Sequence, residues 1–283
     1  MVKKEAVLVT GGTGFIGRNL LPLLRRRYDI IAPTRLELDL LDHDSVEKFL
    51  DKGRFDTIIH LASPTGHNAL DKKDEIFERT LRIFTSLAKC SEMYGKMIFI
   101  GSGSEYGKQR ELRYISEESF GEVIPYDWYG FSRYLMNDIA NKYGNIINLR
   151  LFACYGPTDP AHKLMPHIIA CIKEDRVITL RQDVWFDYLF VEDIYPVMEY
   201  FIENRPEYNA YNLCSGQRYL ISSIADEIKH QMDSEIPVVF CQEGFDLEYT
   251  GSNRRLKNEI QNWTPRPLAE GIRRIIDYEN REI

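Results

Sequence analysis

Short apolar runs alternate with amphipathic stretches through the first half of the chain. Runs at residues 6–10, 29–33, 57–61, 96–101 and 145–152 have the length and composition of strands. Residues 15–26, 45–51, 76–93 and 128–143 carry apolar side chains at helical spacing. Strand and helix in regular alternation predict a parallel sheet with helices on both faces. Ligands of such sheets collect beyond the carboxyl ends of the strands. Chemistry is therefore expected in the loops after Thr10, Pro33, Leu61, Gly101 and Phe152. Past Gly156-Pro157 the rhythm loosens, which predicts a smaller lobe over the sheet edge.

The loop after the first strand is the most informative. Residues 7–17 read V-L-V-T-G-G-T-G-F-I-G, an apolar run feeding into a glycine-spaced turn and then a helix. Gly11 suits a sharp turn, Gly14 a close approach to phosphate, and Gly17 close packing of helix on strand. The helix N-terminus then offers unpaired N–H groups and a positive dipole end to a pyrophosphate. The expected fold is a Rossmann-type, doubly wound parallel α/β sheet. Residues 1–156 would form its dinucleotide-binding domain. Residues 157–283 would be mainly a C-terminal substrate-binding lobe, with some segments returning to the sheet. No repeat, low-complexity run or long linker separates them.

Composition narrows the partners. The chain has 283 residues, 44% of them hydrophobic, and a net charge of −7. No basic excess is available to neutralise phosphates, which argues against nucleic acid or an anionic membrane. Arg25, Arg26 and Arg27 read as a solvated helix end, where cations offset the dipole. The five cysteines, Cys90, Cys154, Cys171, Cys214 and Cys241, are scattered with no C-x-x-C, which predicts free thiols in a reducing cytoplasm and no metal site. The chain enters its first strand within a few residues, leaving no room for a signal peptide, and no apolar run is long enough to cross a bilayer. A soluble, cytoplasmic protein is expected.

Two segments carry candidate acid–base chemistry. Residues 98–106 read I-F-I-G-S-G-S-E-Y, a buried strand ending in a polar loop at the ligand edge. Residues 128–133 read W-Y-G-F-S-R and open a helix for which Asp127 is an available cap. Tyr129 and Arg133 are four apart and share a helix face. A nearby cation lowers a phenol's pKa from about 10 and makes it a usable general acid. A serine hydroxyl can hold a carbonyl oxygen while hydride reaches its carbon. The alternative is an interface tyrosine beside a surface cation.

The chain resembles the extended short-chain dehydrogenase/reductase family, particularly its nucleotide-sugar epimerases, dehydratases and reductases. T-G-G-T-G-F-I-G matches the family's cofactor loop, L-D-L-L-D at 38–42 its adenine-side segment, and H-L-A at 60–62 the end of the family's fourth strand. G-S-G-S-E-Y-G at 101–107 matches its serine loop, and Y-G-F-S-R its Y-x-x-x-K helix. L-R-L-F-A-C-Y-G-P, F-D-Y-L-F-V-E-D-I and N-W-T-P-R-P-L-A-E-G-I follow in the expected order. By resemblance, Tyr129 is the catalytic tyrosine, Ser102 orients the substrate, Ser104 also binds it, and Arg133 completes the catalytic set. The cofactor would touch Gly11, Thr13, Gly14, Phe15, Ile16, Gly17, Arg35, Asp39, Leu40, Leu61, Ala62, Tyr129 and Arg133. The family also implies a homodimer, through the helices at 76–93 and 128–143.

Departures from the family pattern shape the functional expectation. Arg133 replaces the usual lysine; it keeps the charge, but a guanidinium effectively never deprotonates and cannot relay a proton. Ala153 replaces an asparagine that usually touches substrate. Phe186 replaces an arginine that usually clamps the substrate diphosphate, leaving Arg181, Arg254 or Arg255 as substitute substrate-binding cations or plain surface charges. The acid positions of the dehydratase branch hold Gly103 and Ser104. Glu105 is shifted by one, which in extended chain turns it to the opposite face. The resemblance therefore points to a nucleotide-sugar 4-ketoreductase acting on a keto-(6-deoxy)sugar. The alternatives are an epimerase with tightly bound NAD and a non-catalytic dinucleotide-binding regulator. Arg35, after the second strand, can pair with a 2′-phosphate, which favours NADP(H) with NAD(H) as the alternative.

Overall fold

Within β1 (Ala6–Thr10), Val7 and Val9 bury on one side of the sheet and Leu8 on the other, so the strand is covered on both faces. A computed structural model describes residues 5–64 and 73–281. After β1 come α1 (Phe15–Leu24), β2 (Asp29–Ile31), α2 (His43–Gly53), β3 (Thr57–His60), α3 (Lys73–Ala88) and β4 (Lys96–Ser102). Next are β5 (Leu112–Ile115), α4 (Trp128–Ala140), β6 (Ile146–Leu151), β7 (Ala153–Tyr155), α5 (Leu164–Lys173), β8 (Ile178–Leu180), β9 (Trp185–Phe186), β10 (Tyr188–Phe190), α6 (Ile194–Glu203) and β11 (Ala210–Leu213). The chain closes with β12 (Tyr219–Leu220), α7 (Ile221–Gln231), β13 (Val238–Phe240), β14 (Tyr249–Gly251), α8 (Arg254–Glu259) and α9 (Leu268–Arg281).

The main sheet has the order β11-β6-β4-β3-β1-β2, and every pairing in it is parallel. The chain steps from β1 outward to β2, then returns past β1 to β3, so the crevice between the loops of β1 and β3 is the topological switch point. One helical layer packs Leu20 and Leu24 of α1 and Val197 and Phe201 of α6 on the Val7 side. The other packs Val46, Leu50, Phe84, Leu87 and Met136 on the Leu8 side. A separate core of Tyr155, Met165, Ile168, Ile224, Ile228, Ile272 and Ile275 holds the C-terminal elements together, beside a four-stranded sheet ordered β12-β9-β14-β5. β11 joins the main sheet from beyond residue 157.

Several boundaries differ from expectation. β2 is an edge strand and stops at Ile31, short of Pro33, which has no N–H to donate. α2 starts earlier because the Asp42 side chain accepts from the Asp44 N–H as its cap. α3 runs from Lys73 to Ala88 and is followed by a separate 3₁₀ turn. There the Tyr94 hydroxyl binds the Leu87 carbonyl and the Cys90 thiol that of Ser86, taking up acceptors of the last helical turn. α1 ends at Leu24 and α4 at Ala140, two and three residues short of their apolar patterns. Arg27 is not a freely solvated helix end: its guanidinium bridges Glu199 and Glu203 on α6.

One polar cluster interrupts the apolar interior. Arg150 and Glu105, 2% and 0% exposed in their side chains, form an ion pair at 2.7 Å. Arg150 also donates to Asn137 Oδ1 and the Tyr106 hydroxyl, and Asn148 donates to both Glu105 and Asn137. Removing one member strands the other charge without water. Arg150→Leu is expected to lower unfolding free energy by about 3–5 kcal/mol, read as a fall in urea midpoint. An unchanged midpoint would mean that Glu105 sheds its charge at no cost.

Candidate active site

β1 delivers the chain into the glycine turn. Gly11 sits at φ +74°, and a Cβ there would lie 2.4 Å from the Ala62 nitrogen. A Cβ on Gly17 would lie 2.6 Å from the Gly11 carbonyl oxygen. Both positions therefore require glycine, and the turn nests against the end of β3. Gly14 caps α1 with no side-chain hydrogen bond, and the helix has no acid in its first turn. Its leading N–H groups and positive dipole end are left for an anion.

A cleft of about 1550 Å³ begins at this turn. Gly11, Thr13, Gly14, Phe15, Ile16 and Gly17 line one end, and Arg35, Asp39 and Leu40 line an arm beyond β2. There Glu37 folds back to accept from the Thr34 N–H and hydroxyl, which hold its carboxyl below the usual range. Asp39 accepts from the Leu41 N–H. Leu61, Ala62, Ser102, Tyr129 and Arg133 line the middle and far end. These surroundings fit a dinucleotide: a glycine turn whose backbone leaves no room for side chains at 11 and 17, an uncapped helix end, and a channel from there to Tyr129. All the sequence-derived cofactor residues lie on this one cleft.

Asp127 caps α4 by accepting from the Gly130 N–H at 2.8 Å. Gly130 lets the first turn of α4 approach the serine loop, since a Cβ there would meet the Ser104 carbonyl at 2.8 Å. One helical turn on, Arg133 is buried, donates to the Ile100 carbonyl and the Ser63 hydroxyl, and lies 5.2 Å over the Tyr129 ring. Tyr129 is 51% exposed, on the cleft it lines. Desolvation acts to raise its phenol pKa, but Arg133, a hydrogen bond with Ser102, and Lys108 together bring it below the ordinary value.

The serine loop is not extended. Residues Gly103–Tyr106 form a 3₁₀ turn closed by a capping box: Ser102 Oγ accepts from the Ser104 N–H, and Glu105 accepts from the Ser102 N–H. Helical geometry, rather than strand alternation, turns Glu105 inward onto Arg150. Ser104 is buried behind Ser102, its hydroxyl 3.2 Å away, and does not line the cleft. The arginines proposed from sequence lie elsewhere. Arg181 is exposed and pairs with Asp246, while Arg254 and Arg255 line a separate polar cavity of about 190 Å³, where Arg255 pairs with Glu118. In place of the missing diphosphate arginine, the Phe186 ring packs against Tyr188 and Tyr249.

Three site residues were missed. Lys163 lines the cleft. Tyr249 comes from β14, with no local signal in its sequence; its hydroxyl hydrogen-bonds Ser102 and Ser104, and burial pushes its pKa up. Lys108 stands 4.4 Å over the Tyr249 ring; its position directly after the serine loop was the available clue. His60, on the cleft wall, is buried with Nδ1 2.7 Å from the Thr10 hydroxyl. Among the described residues there is no cluster of side chains suited to a metal, and no helix is long and apolar enough to cross a membrane.

A parallel α/β sheet with a glycine turn at its switch point and a long cleft beyond it is a dinucleotide-binding fold. Residues 7–214 match the model of the NAD dependent epimerase/dehydratase family, and the chain belongs to that family. It is 29% identical over 271 residues to a GDP-6-deoxy-D-talose 4-dehydrogenase from Aggregatibacter actinomycetemcomitans, covering 90% of this chain and 91% of that one. A GDP-L-fucose synthetase structure from Naegleria fowleri bound to NADP matches with a TM-score of 0.84 at 18% identity, covering 100% and 95% of the two chains. WbmG from Bordetella bronchiseptica in complex with NAD matches with a TM-score of 0.85 at 16% identity, covering 99% and 95%. Structures of this fold thus bind either dinucleotide.

His60 yields a pH prediction. Burial, reinforced by the Arg133 charge, pushes its imidazole down to about 3. The unfolded chain takes up this proton near 6.5 and the folded chain does not until about 3. Stability is therefore lost as pH falls through that window, at about 1.4 kcal/mol per unit from this group. Urea unfolding at pH 7 and pH 5 should show a shallower acid loss in His60→Gln than in the natural protein; equal losses would contradict it.

Proposed function

We propose that the protein is an NADP(H)-dependent reductase of a nucleotide-linked keto-sugar. The observation that carries this reading is the Tyr129 phenol, held between Arg133 and Ser102 at the far end of a cleft that begins at the glycine turn. The similarity to a protein named a GDP-6-deoxy-D-talose 4-dehydrogenase supports carbonyl–alcohol chemistry on a nucleotide sugar. Dehydration is disfavoured, because Gly103 and Ser104 stand at the acid positions and Glu105 is locked to Arg150.

Gly11, Gly14 and the N-terminus of α1 would hold the pyrophosphate, and Arg35 would pair with a 2′-phosphate. The bound dinucleotide would supply a hydride for the ketone carbon. Ser102 Oγ holds the ketone oxygen, and Tyr129 Oη gives its proton to that oxygen as negative charge develops there. Arg133 makes the phenol easier to ionise and stays charged throughout.

The test is loss of absorbance at 340 nm in step with conversion of 4-keto-6-deoxy sugars on GDP, CDP, UDP or dTDP. Tyr129→Phe should lower the rate by about 10²–10⁴-fold, and Arg133→Lys should retain turnover. Isomerisation without net cofactor consumption would replace this reading with epimerisation. Cofactor binding without turnover, indifferent to Tyr129→Phe, would replace it with a regulator.

Cofactor choice is tested separately. Arg35 lines the cleft in the arm beyond β2, with Thr34 beside it. Arg35→Ser is expected to weaken NADPH binding by about tenfold or more while leaving NADH binding unchanged, since a charge-assisted hydrogen bond contributes about 1.5–3 kcal/mol. Fluorescence titration of both cofactors reads it; equal weakening of the two would oppose the assignment.

A further inference from the structure

The phenol at the reaction centre stands beside a cation that cannot give up a proton. After each turnover, Tyr129 must recover its hydrogen, and a guanidinium is not a source. Ser102 and Tyr249 can pass a proton on but hold none that titrates at neutral pH. The titratable cation whose charge bears on Tyr129 is the lysine that follows the serine loop.

The fold brings Lys108 there by two devices. Gly130 lets the first turn of α4 sit against the Ser104 carbonyl, and Gly107, at φ +80°, turns the chain out of the 3₁₀ turn. The Lys108 ammonium then rests 4.4 Å over the Tyr249 ring, whose hydroxyl reaches Ser102 and Ser104. The charged and titratable groups around the ammonium are Tyr129 and Asp127 at the start of α4, Lys163 beside α5, and Tyr249 on β14. Around the phenol they are Arg133, Lys108, Glu105 and Tyr249. Lys108 as a residue is exposed, while its ammonium is drawn partly out of water against the Tyr249 ring.

We propose that Lys108 returns the proton to the Tyr129 phenolate, the task that arginine at position 133 cannot perform. Tyr129 Oη–H breaks as the substrate oxygen is protonated. A proton then passes from Lys108 Nζ to Oη by way of water or the neighbouring Tyr249 and Ser102 hydroxyls, and the neutral amine takes a replacement from solvent water. Desolvation lowers the pKa of Lys108, with Lys163 adding to it and Tyr129 and Asp127 opposing, which brings ammonium and phenol closer in acidity. Lys108 acts through Tyr129 and is a positioning residue, not one that touches substrate.

The inference rests on Tyr129 being the proton donor, and its first test needs no turnover. Protein carrying ¹³C at tyrosine Cζ is titrated by NMR, with the Tyr129 signal identified by its loss in Tyr129→Phe. Lys108→Met should raise the Tyr129 midpoint by about half a unit or more, and Lys108→Arg should leave it in place. An unmoved midpoint in Lys108→Met overturns the proposal whatever the activity. The second test is NADPH-dependent reduction of the 4-keto-6-deoxy nucleotide sugars. Lys108→Arg, which keeps the charge but does not ionise near neutral pH, should lose about tenfold or more in kcat with KM unchanged. Added methylamine should restore part of the rate to Lys108→Ala. Natural kcat in Lys108→Arg overturns the relay. Failure of the natural protein to reduce any keto-sugar removes the functional reading instead, and leaves the NMR result to judge the coupling.

Discussion

The site depends on one buried ion pair. Glu105 holds the Ser102 N–H with one carboxylate oxygen and Arg150 with the other, and Arg150 reaches on to Asn137 in α4. Asn137 lies one turn beyond Arg133, which lies one turn beyond Tyr129, so these three share a helix face. The serine at the end of β4 and the tyrosine on α4 are thereby fixed to the same buried guanidinium on β6. Taking two charges from water is costly, and apolar residues of equal volume often match such a pair in stability. What the pair supplies here is position: a hydroxyl and a phenol from separate elements, tied together through a connected buried polar network.

Charge around the phenol is arranged with equal economy. Arg133 is buried and bound to Ser63 and Ile100, so it acts as a fixed positive charge rather than a mobile one. Burial keeps His60 neutral, and the Arg133 charge reinforces it. Glu105 could have raised the phenol pKa again, yet Arg150 stands against its carboxylate and weakens that effect. Arg133, the Ser102 hydrogen bond and Lys108 together outweigh both desolvation and the buried acid at Tyr129.

Local patterns carried most of this into the sequence. The alternation of Val7, Leu8 and Val9, the glycine spacing at 11, 14 and 17, and the i, i+4 pair Tyr129 and Arg133 each state a geometry within a few residues. The parallel sheet, its switch point and the cofactor-facing loops follow from them. The failures were non-local. Glu105 was read as part of an extended loop because its partner Arg150 lies 45 residues away. Arg181, Arg254 and Arg255 were candidates by charge alone, and each pairs with an acid or lines a cavity outside the cleft. Tyr249 could not be found at all, since β14 reaches the site only through a sheet formed with β5 and β9.

The same contrast explains how the chain tolerates its departures. At Phe186 an aromatic ring joins Tyr188 and Tyr249 and fills the wall behind Ser102 with a packed stack. That stack seats Tyr249, and Tyr249 in turn lies beneath the Lys108 ammonium. A charged side chain at 186 would need a partner among these rings or would open the wall to water. Phe186 and Lys108 thus meet on a single tyrosine, one packed against its ring and the other laid over it. The charge laid on that ring lies close enough to favour the ionised form of the Tyr129 phenol, so the packing of Tyr249 and the acidity of Tyr129 are set by neighbouring groups.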